Sequence, residues 1–428
     1  MSVKRSYFLI LFLQWVAVAL PLPLLILLLQ ARGFDLLQVG LAYGSYSLTI
    51  MVLELPTGGL ADAIGRKRVA FLANLFALVG AFIVLFAFSL PVLLAAMICQ
   101  GISRALSSGA LDAWFVDALA AENPEADLQA ALAQSGTVVL AALSLGTLAG
   151  GALPGLFPGL PAEGTGWLTP ISTTILASLG LQLLLLLALT LFIQDRRDYV
   201  QPGGWQAGVR QVPTIIRDSA RLTWHNRILF WLFWVTVGSG LLLTTMENLW
   251  QPFFAEILTG RSENTLTFGI IMTGNFLLGM AGNLLSIPLS RWFRGRYARL
   301  AALARGLQGL FLFLLAGQTA LFPAAGSFWM VYFLLGLVNS PHATLLNQQI
   351  APERRSTMLS VHSLAVYLGG FIGGIGLGYV AEQWSIQVAW IMGSLILMVS
   401  LIPYLLVDAM VDPEGVDRVV DHEIPSTD

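Results

Sequence analysis

A few ionisable side chains embedded in long apolar stretches are the residues of this sequence most capable of chemistry. Glu247 is the only acid in the apolar part of its stretch. A charge in such surroundings costs at least ~3 kcal/mol and therefore usually faces a cavity or a partner. The pattern leaves two interpretations of Glu247 open, a carboxyl group that takes up and releases protons or an acid hydrated near the surface. Polar residues and a proline follow it, as in the discontinuous helices that form binding sites inside membranes: Asn248, Trp250, Gln251 and Pro252.

Arg104 is the second such residue. It lies thirteen positions beyond Pro91, at about mid-depth in its apolar stretch, and Gln100 precedes it by one helical turn. Contact with a ligand and a structural role, such as bracing Asp112 or backbone carbonyl groups, explain Arg104 equally well. Asp112 and then Asp117 lie progressively closer to the end of the stretch, where we expect them to belong to a gate.

Other polar and aromatic side chains are candidates for the lining of a cavity. Histidine can relay protons or bind a substrate, although hydrogen bonding between helices explains buried histidines as well. Glu54, which precedes a Pro-Thr-Gly run, is expected to have a structural or gating role. The further candidates are Gln14, Trp15, Asn339 and His342, together with Asn347, His362, Trp231 and Trp234.

The composition indicates what kind of protein must position these residues. Of 428 residues, 57% are hydrophobic and only 11% are charged, against about 25% charged in ordinary soluble domains. The lone cysteine, Cys99, and four scattered histidines make a metal centre or other cofactor improbable, and the net charge of -2 offers no basic surface for nucleic acid. No Gly-x-x-x-x-Gly-Lys-Ser/Thr loop is present for nucleotide hydrolysis, and no catalytic constellation indicates a membrane enzyme.

Apolar runs of about 20 residues, the length that crosses ~30 Å of hydrocarbon, recur along the chain. Because open strands would leave backbone groups unpaired in lipid, the sequence predicts an all-α polytopic membrane protein with 12 transmembrane helices. The predicted spans are Tyr7 to Gln30, Leu36 to Leu55, Val69 to Leu90, Pro91 to Phe115, Gln129 to Ala152, Pro170 to Ile193, Ile228 to Gln251, Leu266 to Leu289, Leu300 to Leu321, Phe328 to Gln349, Thr357 to Val380 and Ile386 to Val407.

The positive charges predict how the chain lies in the cell membrane. If the N-terminus is cytoplasmic, 18 of the 22 Lys and Arg residues fall in cytoplasmic segments. Arg32 and Arg261 lie outside, and Arg104 and Arg305 lie within spans. Positive charge concentrates on the cytoplasmic side of membrane proteins, so we expect both termini to be cytoplasmic.

A polar interval from Asp195 to Asn226 divides the chain into two halves of six spans each. The halves resemble each other at one offset of 228 positions, which places Arg66 over Arg294 and Gly146 over Gly374. Six is an even number, so the repeat is parallel, with an axis along the membrane normal. We therefore predict two six-helix bundles at residues 1–194 and 227–408, a cytoplasmic linker with an interfacial helix at 195–226, and a disordered acidic tail at 409–428.

The loop between spans two and three carries the sharpest motif. It combines the helix-breaking glycines Gly58 and Gly65 with one carboxylate, Asp62, which follows Leu60 and Ala61. Three consecutive cations come next, Arg66, Lys67 and Arg68. These residues resemble motif A of the major facilitator superfamily, Gly-x-Leu-Ala-Asp-Arg-x-Gly-Arg-Lys, with Ala63 where Arg is usual. The resemblance implies the superfamily's fold. It also implies a latch in the outward-open state, in which Asp62 and Arg66 form a charge network with Asp117; the second copy is degraded, with Ser290 at the Asp position.

Span five carries a weaker motif. Gly146, Gly150 and Gly151 resemble motif C of the same superfamily, Gly-Pro-x-x-Gly-Gly, which is associated with proton-coupled antiporters, but Thr147 replaces the proline. Small residues at this spacing also serve close helix packing, so both interpretations stay open.

The sequence and the resemblance together predict a secondary active transporter that works by alternating access. The first choice is proton-coupled efflux of small amphiphilic or drug-like molecules, with protons as coupling ion, membrane lipids as surroundings and a monomer as the working unit. The alternative is a proton-coupled uptake symporter or a facilitator of a small polar metabolite.

Overall fold

The structure, a computed structural model, describes residues 2–58, 60, 64–107, 109–123, 125, 127–193, 214, 217, 220–258, 264–350 and 355–410. These residues form helices, with no strand among them. The helices are α1 Val3–Ala19, α2 Leu25–Ala31, α3 Leu36–Gly58, α4 Arg66–Leu85, α5 Leu90–Ser107, α6 Ala110–Glu122, α7 Leu128–Ala152, α8 Ser172–Phe192, α9 Arg227–Ile257, α10 Thr265–Trp292, α11 Tyr297–Ala316, α12 Leu321–Gln348, α13 Arg355–Gln383, α14 Ile386–Val399 and α15 Leu401–Met410.

The prediction of a twelve-helix membrane protein is confirmed. Within the described residues, eleven helical segments are long and apolar enough to cross a membrane, and α1 with α2 forms the remaining span. Helix α8 illustrates the pattern, because leucines lie on both its buried and its exposed faces. Leu185 and Leu189 are fully buried, whereas the opposite face carries exposed leucines suited to lipid, namely Leu183, Leu184, Leu187 and Leu191.

Two of the predicted spans are interrupted rather than continuous. The first breaks between Ala19 and Leu25, where Pro21 and Pro23 each remove a backbone donor and clash with the preceding turn. The fourth breaks between α5 and α6, where Gly109 has φ +76°, a conformation that ends a right-handed helix. The span lengths alone did not predict either interruption.

The internal repeat is visible in the helix starts. Helices α3, α4, α5 and α7 begin at residues 36, 66, 90 and 128, and their counterparts α10, α11, α12 and α13 begin at 265, 297, 321 and 355. These starts differ by 227 to 231 positions, close to the offset found in the sequence. The correspondence ends after α7, because the connection from α7 to α8 is much longer than that from α13 to α14.

Helices α1–α8 pack mainly with one another and form the N-terminal half, and α9–α15 form the C-terminal half in the same way. Two helix pairs make most of the contacts between the halves, α3 with α13 and α7 with α10, and α9 adds contacts with α2 and α3. Because α3 carries Glu54 and α13 carries His362, the space between the halves is where polar candidates from both halves can meet.

The predicted linker helix and acidic tail fall mostly outside the described residues. Residues 220–225 are helical, and Asn226 caps the start of α9 by accepting hydrogen bonds from two backbone amides. At the other boundary, α15 continues to Met410, beyond the predicted end at residue 408. Asp408 accepts a hydrogen bond from Arg299 at 2.6 Å, which fastens this last turn to the start of α11.

Candidate functional site

The two ends of the bundle differ, and each needs a name. We call the end where α3 finishes and α4 begins the loop end, and the opposite end the far end. At the far end, the side chain of Gln251 on α9 bridges the halves. Its amide nitrogen donates to the carbonyl of Leu22 at 2.8 Å, and its oxygen accepts from the amide of Ile26 at 2.9 Å. Both groups flank the proline break in the first span, and Gln251 is only 2% exposed.

Further uncharged contacts seal the far end. A Cβ atom at Gly40 of α3 would collide with the carbonyl oxygen of Gly374 on α13, so the two backbones touch there. On the other side, the hydroxyls of Thr147 and Thr273 lie 2.8 Å apart, and Thr265 donates to the carbonyl of Gly151 at 2.7 Å. The halves are therefore in contact across both helix pairs at the far end.

This arrangement gives the motif C-like glycines packing positions. A Cβ at Gly146 or Gly150 would meet α1 within the N-terminal half. Gly151 instead faces the other half, where a Cβ would lie 2.8 Å from the Cα of Gly269. Close helix packing accounts for all three glycines.

Glu247 lies one helical turn before Gln251 and faces the space between the halves. It is solvent-exposed although it lies deep within α9, whereas its neighbour Asn248 is only 3% exposed. The solvent-accessible space therefore extends to the level of Glu247, and the buried Gln251 marks where it ends. The electrostatic neighbours of Glu247 are four tyrosines from both halves, Tyr43 and Tyr46 of α3, Tyr332 of α12 and Tyr367 of α13.

Arg104 occupies the same central space and is also exposed. Its electrostatic partners are Tyr367, Tyr46 and Glu54. Glu54 in turn interacts with Ser363 of α13, while its Oε2 atom is buried without a hydrogen-bond partner among the described atoms. Arg104 and Glu54, both from the N-terminal half, thus face residues of the C-terminal half across the central space.

The tyrosines are the part of the site that sequence reasoning missed. Each sits in an apolar helix where an aromatic residue is equally expected to face lipid or core. Their sequence signal is the three-residue separation of Tyr43 and Tyr46, which puts both on one face of α3.

Three other predicted residues lie apart from this centre. The Tyr7 hydroxyl donates to Asp112 at 2.6 Å, so Asp112 is partnered within the N-terminal half and is not braced by Arg104. Gln100 donates to the carbonyl of Ala77 on α4 at 3.3 Å and packs against that helix. Trp15 packs against the apolar core of the N-terminal half.

The remaining candidates differ in exposure. Gln14 is half-buried and Asn339 is exposed. Asn248 is buried, and neither polar atom of its amide has a hydrogen-bond partner among the described atoms. Trp234 is exposed beside other aromatic rings of α9.

At the loop end, Arg66 forms an ion pair with Asp117 and donates to the carbonyl of Ala113 at 2.5 Å, which ties the start of α4 to α6. Lys67 donates to the carbonyls of Thr190 and Ile193 at 2.8 and 2.6 Å and so caps the end of α8.

Gly65 has φ +96°, the conformation that favours glycine in the reversal before α4. Leu60 packs against a small apolar cluster at this end. Gly58 ends α3, and Asp62 lies outside the residues that the structure describes.

His342 belongs to a polar network inside the C-terminal half. Its Nδ1 lies 2.8 Å from the Tyr404 hydroxyl, and its Nε2 lies 3.1 Å from the Thr236 hydroxyl, which is also 3.4 Å from His362. Nearby, the buried Arg305 donates to Gln308 and Ser239. Hydrogen bonding between helices accounts for these contacts. Within the described residues, no group of three His, Cys, Asp or Glu side chains is placed to hold a metal ion.

Comparison with known proteins agrees with this architecture. Over 409 residues, 94% of each chain, the sequence is 22% identical to the uncharacterized MFS-type transporter YxaM of Bacillus subtilis (strain 168). The nucleoside transporter NupG superimposes with a TM-score of 0.74 at 14% identity, over 95% of this chain and 99% of that one. The human organic anion transporter MFSD10 gives 0.62 at 16% identity, over 94% and 98%.

These structural similarities establish the fold alone. The family assignment comes from the match of residues 7–351 to the family described as Major Facilitator Superfamily. That match covers most of the sequence and includes the helices of both halves. The chain therefore belongs to the Major Facilitator Superfamily and is a membrane transporter.

Proposed function

We propose that this transporter is a proton-coupled exporter of small amphiphilic or drug-like molecules, which works by alternating access. The observation that carries the proposal is the exposure of Glu247 and Arg104 deep between the two halves. Ionisable groups inside a membrane protein that face an accessible cavity are typical of substrate and proton pathways. The tyrosines beside them give the cavity an amphiphilic lining, suited to molecules that combine an apolar body with a polar group.

Alternating access needs a far end that can open. The contacts that join the halves there are hydrogen bonds and backbone packing without ion pairs among the described residues. Such contacts weaken steeply as the halves move apart, so the interface is either formed or broken. Asp62, Arg66 and Asp117 act at the loop end and set the balance between the two conformations. With both termini in the cytoplasm, the loop end faces the cytoplasm of the cell and the far end faces outward.

Glu247 is the coupling residue in this proposal. It binds a proton and a substrate in turn, so that inward movement of a proton drives outward movement of the substrate. Arg104 sets the charge of the cavity and holds Glu54 as its partner. A monomer is sufficient, since both halves of the site come from one chain.

The test is transport by the purified protein in proteoliposomes. A thermal-shift screen with drug-like cations, sugars and lipids first selects a substrate that stabilises the protein. Glu247→Gln should abolish transport driven by a proton gradient, while exchange of labelled for unlabelled substrate at saturating concentration persists, because exchange needs no net proton movement. The matched control is Glu256→Gln, an exposed acid nine positions further along α9.

Coupled transport by Glu247→Gln at the wild-type rate would remove Glu247 from the mechanism and direct attention to His342 and Glu54. Accumulation of substrate on the side to which protons move would also contradict export. Substrate and proton would then travel together, as in an uptake symporter.

A further inference from the structure

We propose that the substrate is a monovalent organic cation, an amine or quaternary ammonium compound, whose charged group replaces the proton at Glu247 among Tyr43, Tyr46, Tyr332 and Tyr367. This inference rests on the proposed transport function and names the chemical class that the same site selects. It follows from how the charges in the central space are partnered.

Glu247 is the one central carboxylate whose charge the described side chains leave unbalanced. The two ion pairs in the described part of the chain are Arg66 with Asp117 and Arg299 with Asp408, neither of them in the central space. Arg104, the cation in that space, interacts instead with Glu54 and with tyrosine hydroxyls. Arg305, the buried cation of the C-terminal half, is 2% exposed and donates to Gln308 and Ser239, so it is shielded from that space. With both acids ionised, two carboxylates face one guanidinium there. The central space then carries one net negative charge and favours one positive charge.

The surroundings of Glu247 favour an organic cation over a small hydrated one. All four of its electrostatic neighbours are tyrosines, which offer ring faces and hydroxyl oxygens that attract cations. An aromatic site can remove water from an ammonium group that carries an apolar body, and desolvated contacts of this kind are the stronger ones. An organic anion would face Glu247 without compensation, because Arg104 is already shared with Glu54.

Charge balance then sets how many protons are exchanged for each cation. If a monovalent cation binds to the ionised carboxylate and a proton binds when the cation leaves, the site stays neutral in both loaded states. One proton would move inward for each cation moved outward, with no net charge transfer. Export would depend on the pH gradient and be insensitive to the membrane potential.

Three water-soluble probes with the same phenyl ring test the charge preference. They are phenyltrimethylammonium, methyl phenyl sulfone and benzenesulfonate, which carry charges of +1, 0 and -1. Binding to the purified full-length protein is measured by titration calorimetry in two buffers of different ionisation enthalpy, which reports protons released. We expect the cation to bind at least tenfold more tightly than either other probe. As the pH is lowered and the carboxyl group of Glu247 becomes protonated, the affinity for the cation should fall by up to tenfold per pH unit.

Two variants locate the effect. Glu247→Gln should reduce cation affinity at least tenfold and remove its pH dependence, whereas Glu256→Gln should change neither. Tyr332→Leu should weaken cation binding several-fold and leave the pH dependence in place, and it serves as the second test if Glu247→Gln fails to fold. Full cation affinity in folded Glu247→Gln, or an unchanged affinity in Tyr332→Leu, would overturn the assignment.

The outcomes separate this inference from the transport proposal. Equal or tighter binding of benzenesulfonate or the sulfone by the wild-type protein would overturn the cation assignment, as would no cation binding at millimolar concentration. Proton-driven transport of a neutral or anionic molecule would do the same while leaving the proposed function intact. Selective cation binding with proton release, but no transport under a pH gradient, would support the inference and refute the proposed function.

Discussion

Gly40→Ala should change the balance between the two conformations of the transporter while hardly affecting either half. The new Cβ atom would collide with the carbonyl oxygen of Gly374 and lie 3.5 Å from the Cα of Gly378. All of these atoms belong to helix backbones, so no side-chain rotation can relieve the contact. Overpacking of this kind costs about 1–3 kcal/mol. The cost applies only while the halves touch at the far end, since the two helices belong to different halves.

The expected magnitude follows from that cost. Because 1.4 kcal/mol is a factor of ten in an equilibrium constant, the ratio of far-end-open to far-end-closed molecules should rise by about 5- to 150-fold. The intrinsic preference of Ala over Gly for helix, about 1 kcal/mol, acts equally in both conformations and cancels.

Accessibility of one cysteine measures the shift. Ser47 lies two turns further along α3, is 3% exposed and has its hydroxyl close to Gly370 of α13. In a Cys99→Ala background, Ser47→Cys should therefore react with N-ethylmaleimide only when the far end opens. Its labelling rate in proteoliposomes should increase in Gly40→Ala by the factor given above, up to the point where the open form predominates.

Two glycine substitutions serve as controls. Gly150→Ala would collide with the carbonyl of Leu20 inside the N-terminal half, so it should lower thermal stability without raising the labelling rate. Gly374→Ala would place its Cβ 3.0 Å from the carbonyl of Gly40, a milder contact that should give a smaller increase. An unchanged labelling rate in folded Gly40→Ala would refute the role of this contact in closing the far end.

Three further predictions concern the ends of the bundle. Gln251→Leu should also raise far-end labelling, since the buried amide of Ile26 would lose its partner at about 1–3 kcal/mol and the partly buried carbonyl of Leu22 would lose one too; a rate equal to wild type would contradict the bridge. Asp62→Asn should reduce transport while equilibrium substrate affinity stays within a few-fold, because a gate changes populations more than contacts; loss of binding in folded protein would show a direct role in binding. A cysteine at Gln206, in the Cys99→Ala background, should resist impermeant reagents added outside sealed cells, and labelling there would overturn the proposed topology.

Much of the fold could be predicted from the sequence, because hydrophobic length and positive charge both respond to the membrane. The interruptions escaped that reasoning, since a proline pair or one glycine leaves the apolar composition of a span unchanged. The repeat was predictable because Arg and Gly positions recur at a constant offset. The offset changes after α7, because the connection from α7 to α8 is longer than that from α13 to α14.

The candidate site could be predicted only in part. Glu247 and Arg104 stood out because a charge in an apolar stretch is rare, and both lie in the central space. The tyrosines around them did not stand out, because sequence cannot say which face of an apolar helix meets lipid. Partners across the fold were also beyond reach. Asp112 was expected to accompany Arg104 on the same span, and its actual partner Tyr7 lies more than a hundred residues away.

Different kinds of interaction hold the helices together at the two ends of the bundle, and this difference affects how the transporter changes conformation. Most far-end contacts, such as Gln251 with Leu22, are uncharged and short-ranged, so salt and surface potential hardly affect them. The charged one is the exposed Glu382 carboxylate, which accepts from the Leu36 amide at 2.9 Å. The Arg66 and Asp117 pair at the loop end is partly exposed and lies among the motif's cations, so both screening and anionic lipids act on it. Ionic strength should therefore alter the conformational balance through the loop end. In the orientation proposed above, the equilibrium should respond to ionic strength mainly on the cytoplasmic side.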